Sequence, residues 1–125
     1  MVECSGNLGP RQRCIRALEG AAAATTALGL AAWCTAPCGW VRAVIVTLAT
    51  AACFCALQAA ANTCAILAMR GRQDLDRGSE PIVAAHLRTA GLARGQRIVI
   101  ATAIVFVLAS VTAWLLPEVA LAAAP

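Results

Sequence analysis

Gln58 and Asn62 are the only strongly polar side chains deep within the apolar sequence. Four residues apart, they share one face of a helix. In hydrocarbon each amide needs a partner, and cross-helix hydrogen bonds worth about 1 kcal/mol are the ordinary use. The functional alternative is a polar path for an ion or ligand, but no acid or histidine accompanies the pair. Glu19 opens the first apolar run, as an intramembrane proton or cation site would require. It stands three residues from Arg16 at the membrane edge, where a helix N-terminus favours a carboxylate. His86 is the single histidine, and one imidazole does not supply the usual axial pair of a haem site.

Seven cysteines are many for 125 residues. Cys53, Cys55 and Cys64 fall in apolar sequence and serve as small apolar side chains. Cys34 and Cys38 flank Pro37 on the side of the membrane that can be oxidising, so they are the candidate disulfide. Cys4 and Cys14 lie towards the other side. Two thiols with no nearby imidazole rarely hold a metal. There is no glycine-rich phosphate loop, nucleophile elbow or carboxylate pair, so the chain reads as a non-enzyme without catalytic, cofactor-binding or metal-binding residues.

The elements that carry these residues follow from charge and hydropathy. The chain is 61% hydrophobic and 13% charged, with mean hydropathy +0.77. So short a soluble domain needs more polar surface than that. Arg11, Arg13 and Arg16 precede the first apolar run, and Arg42 alone follows it. Arg70, Arg72, Arg77, Arg88, Arg94 and Arg97 fill the stretch before the last run, and no basic residue comes after it. Dense, sparse, dense and empty is the positive-inside alternation for three spans with the N-terminus inside and the C-terminus outside. Trp33, Trp40 and Trp114 then all fall at the outer interface, where indole rings favour the headgroup level.

The expected fold is an all-α integral membrane protein of one domain, with three transmembrane helices. Residues 1–16 form a polar tail, 17–36 the first span, 40–69 the second and 98–116 the third, stopped by Pro117. Glu118 marks the outer interface, and 117–125 is an outer tail. Within the inner loop, 70–97, Ser79-Glu80-Pro81 resembles a capped helix start. Ile82, Val83, His86, Leu87 and Ala90 share one face, which predicts a short amphipathic helix over 80–90 that Gly91 ends. An Arg-bearing start before an apolar core suits an uncleaved signal anchor better than a cleaved signal.

Small residues mark the expected packing faces. Ala52, Ala56, Ala60, Cys64 and Ala68 recur every fourth residue along the second span, a stripe that lets helix backbones approach. Gln58 and Asn62 add polar contacts to it. Ala21, Thr25 and Gly29 in the first span, and Ala109 and Ala113 in the third, follow the same spacing. Arg16, Arg70 and Arg97 join the tryptophans as interface anchors. Arginine with no lysine at membrane ends points to anionic headgroups and not to nucleic acid.

These features suggest a non-catalytic accessory subunit of a larger membrane complex, its partners being other membrane subunits and lipid. A self-assembling pore or small transporter of holin-like size is the alternative, as is a small viral or organellar envelope scaffold. A bacterial or organellar inner membrane is the favoured location.

Overall fold

The computed structural model describes residues 6–34 and 38–122, with side chains as far as 115. Cys4, the Pro37 turn and the Glu118 side chain lie outside that set. Four helices and one hairpin make up the described residues: α1 (Pro10–Trp33), α2 (Gly39–Ala60), α3 (Ala65–Met69), β1 (Arg72–Asp74), β2 (Ser79–Pro81) and α4 (Ala85–Ala122). The chain is mostly helical, and the short antiparallel sheet departs from the all-α expectation. Among the described residues two helices, not three, are long and apolar enough to cross a membrane: α2, and α4 over Ala85–Leu115. The first expected span lies in α1, whose alanine, threonine and glycine give it much weaker apolar character.

α1 and α2 pack side by side, and Gly20 of α1 lies against Ala52, Cys55 and Ala56 of α2. The contact face of α1 is Gly20 and Ala27, both buried, whereas Ala21, Thr25 and Gly29 are exposed. A Cβ placed on Gly20 would sit 3.2 Å from the carbonyl oxygen of Ala52, which sets how closely the helices approach.

The second expected span is not one helix. Asn62 adopts φ +50°, the left-handed conformation that asparagine tolerates better than most residues. Around it the Thr63 N–H donates to the Gln58 carbonyl at 3.0 Å, and the Asn62 N–H to that of Ala59 at 3.4 Å. This pair of bonds is a Schellman motif, the commonest way to end a helix, with asparagine in the usual glycine position. The helix ends there, and the short α3 packs on α4, where Ala68 abuts Gly95.

Ser79-Glu80-Pro81 is a strand, not a helix start. Arg72 pairs with Pro81, Gln73 with Glu80 and Asp74 with Ser79. Asp76 and Gly78 supply the positive φ angles of the turn. The amphipathic helix expected over 80–90 therefore does not exist as a unit. Residues from Ala85 onward are the first turns of α4, which passes through Gly91 without stopping. Pro117 does not stop it either.

Candidate functional site

A dense polar clasp lies at the arginine-rich end, built by a segment expected to be a polar tail. Asn7 is 3% exposed. Its side-chain Nδ2 donates to the carbonyls of Cys64 at 3.1 Å and Arg72 at 3.3 Å, and its Oδ1 accepts the Cys64 N–H at 2.7 Å. Its backbone is also engaged. The N–H groups of Asn7 and Leu8 both donate to the Asn62 carbonyl, and the Asp74 N–H donates to the Asn7 carbonyl at 2.8 Å. The Gly9 N–H reaches the Asp74 carbonyl at 2.7 Å, and Leu8 bridges Asp74 in parallel, so residues 7–9 extend the hairpin. Gly6 and Gly9 make this approach feasible: a Cβ on the first would overlap Asn62, and one on the second would overlap the Asp76 carboxylate.

α1 begins with Pro10 in its first turn, and no side chain of its own segment caps it. Asp76 does so from 65 residues away. One carboxylate oxygen accepts the Arg11 N–H and the other the Gln12 N–H, both at 3.1 Å. The Asp76 N–H in turn donates to Asp74 Oδ1, which holds the turn in place. A carboxylate against free N–H groups at a helix N-terminus satisfies orphan donors and opposes the dipole. The clasp ties the N-terminal segment, the α2–α3 corner and the hairpin together.

A second cluster lies at the tryptophan end. The Arg42 guanidinium is 5.8 Å from the centre of the Trp114 ring, within cation–π range. Its Nη1 also donates to the Ala113 carbonyl at 3.4 Å. Ala113 is the residue whose carbonyl would accept the N–H four positions later. That position is Pro117, which has no N–H to give. Arg42 thus serves a carbonyl that proline leaves unpaired, and α4 continues. The Trp114 ring also reaches within 3.3 Å of where a Cβ on Gly39 would lie, which ties α4 to the start of α2.

The expected site residues distribute unevenly over this frame. Trp33, Trp40 and Trp114 share one end, and all three are exposed. Arg16, Arg70 and Arg97 fall at the other; Arg16 Nη1 pairs with Glu19 at 2.8 Å, while Arg70 and Arg97 are exposed. The small-residue stripe divides. Ala52 and Ala56 meet α1, Ala60 closes α2 in an exposed position, and Cys64 and Ala68 are buried at α3. Gln58 and Asn62 do not share a helix face, because Asn62 has left the helix. Gln58 is 1% exposed, and its Oε1 has no hydrogen-bond partner among the described residues. Cys34 and Cys38 cap the facing ends of α1 and α2 as free thiols. His86 is exposed at the start of α4. Among the described residues no three histidine, cysteine or acidic side chains gather as metal ligands.

The sequence reading missed Asn7, Asp76 and the role of Arg42. Asn62, expected inside the second span, is instead a helix stop, although asparagine after an alanine run is a C-terminal signal. Asn7 and Asp76 had no local signal, because their partners lie 57 to 65 residues away. Comparisons of the chain with protein families, with curated proteins and with solved structures found no match.

Proposed function

We propose that this chain is an integral membrane protein and a non-catalytic packing subunit of a larger membrane assembly. The observation that carries the reading is the bare surface of α4. In its most apolar window only 6% of the residues are buried within the chain. Ile100, Ile104, Val107 and Val111 are exposed on one side of the helix, and Val99 and Phe106 on another. A helix apolar on most sides belongs in lipid or against other helices.

On this reading α2 and α4 cross the bilayer, and α1 accompanies α2 through the apolar layer. Arginines take the inner headgroups and tryptophans the outer ones. The clasp closes the inner end and holds the unpaired α4 face at a fixed angle to a neighbour. The pore or transporter reading has less support, since Gln58 is enclosed and Asn62 faces the clasp. Partners are then membrane subunits and lipid.

Extraction in mild detergent followed by native electrophoresis tests the proposal. The chain should migrate with a large assembly, and α4 cysteine variants such as Val107→Cys should crosslink to a different protein. A single monodisperse species of 12.8 kDa would refute it.

A further inference from the structure

Between α1 and α2 runs an open apolar groove that ends at an arginine. Its larger part, about 500 Å³, is walled by Ala17, Ala21 and Ala24 of α1 and by Ala52, Ala56 and Ala59 of α2. Ala17 and Ala59 also line the adjoining part, about 400 Å³, which opens beside Pro10, Arg13 and Cys14. The groove exists because Gly20 brings the two backbones together while the flanking alanines are too short to fill the crease. From Arg13 to Ala24 is eleven residues, about 16 Å of helix. Half of a hydrocarbon layer of about 30 Å is nearly the same depth.

Among the described residues, no acid neutralises the charge at its mouth. Arg13 is exposed and has no ion pair among the described residues. Two of the described acids beside α1 are committed elsewhere, Glu19 to Arg16 and Asp76 to the N–H groups of Arg11 and Gln12. We propose that this groove seats one acyl chain of an anionic phospholipid, with its phosphate on the Arg13 guanidinium. The inference rests on the membrane reading above, which sets the groove's apolar length in one leaflet and Arg13 at the headgroups. A long, open crease walled by alanines suits an unbranched chain, which keeps contact along its whole length.

Native mass spectrometry of the full chain, released from nanodiscs of mixed phosphatidylglycerol and phosphatidylcholine with matched acyl chains, tests this. The wild type should retain one phosphatidylglycerol per chain in preference to phosphatidylcholine. Arg13→Gln should lower that retention about fivefold, the factor expected for one arginine at an anionic surface. Ala21→Phe, which fills the groove from an exposed position, should abolish it, while Arg97→Gln at the same end should leave it unchanged. Equal retention of the two lipids, or an Arg97→Gln loss equal to that of Arg13→Gln, would overturn the site. So would a second copy of the chain in place of lipid. Alkaline carbonate extraction separates the two proposals: release of the wild type from membranes refutes the membrane reading itself, whereas a membrane-retained chain without lipid preference refutes only the groove.

Discussion

Asn7→Ala removes three hydrogen bonds at once and leaves their protein partners in place. The Cys64 N–H loses an acceptor at 2.7 Å, and the Cys64 and Arg72 carbonyls lose a shared donor. Each bond contributes about 1 kcal/mol net, and the stranded Cys64 N–H adds desolvation cost at a site that excludes water. About 3 kcal/mol of local stability should therefore be lost, or roughly 150-fold in the opening equilibrium of the clasp at 1.36 kcal/mol per decade. Hydrogen exchange in lipid nanodiscs reads this directly, because the amides of Asn7, Leu8, Gly9 and Asp74 are protected only by bonds inside the clasp. Their exchange should accelerate by about two orders of magnitude, while amides in the middle of α2 and α4 stay unchanged. Asn7→Asp keeps an acceptor for Cys64 but turns an oxygen towards two carbonyls, so it should open the clasp at least as far. If the Asn7→Ala amides exchange within threefold of wild type, the side chain does not hold the segment and the clasp reasoning fails.

Asp76→Ala should cost about 1 kcal/mol as a lost helix cap, seen as roughly fivefold faster exchange at the Arg11 and Gln12 amides. Asn62→Gly should be neutral or stabilising, whereas Asn62→Leu should cost about 1–2 kcal/mol because a branched side chain resists positive φ; reversible unfolding in mixed detergent distinguishes them. Gln58→Leu removes a buried oxygen that has no partner, and should raise stability in the same assay by about 1 kcal/mol. A destabilised Gln58→Leu chain would show that the amide is satisfied by something bound. Arg42→Ala should shift Trp114 emission and weaken the α2–α4 contact by about 1–2 kcal/mol; restoring the Ala113 acceptor's own donor with Pro117→Ala should recover part of that loss.

The uncharged stretches around Val44 and Val105 were readable as apolar helices because that property is local: composition over a few turns decides it. The three tryptophans were readable at one end for the same reason, since their positions follow from counting along each helix. The stop at Asn62 was not readable, because an unbroken lack of charge hides its backbone signal, and the stripe from Ala52 to Ala68, expected as one face, serves two interfaces. Ser79-Glu80-Pro81 carries genuine helix-start chemistry. It becomes a strand because Arg72–Asp74 is available to pair with it.

What composition and periodicity determined was which segments avoid water and where their charged ends lie. Tertiary structure decided what becomes of the polar groups those segments leave over. Asp76 caps a helix that has no cap of its own, Asn7 fills the corner opened at Asn62, and Arg42 takes the carbonyl that Pro117 cannot serve. Each pairing joins residues more than fifty positions apart, so its free energy exists only once the helices have met.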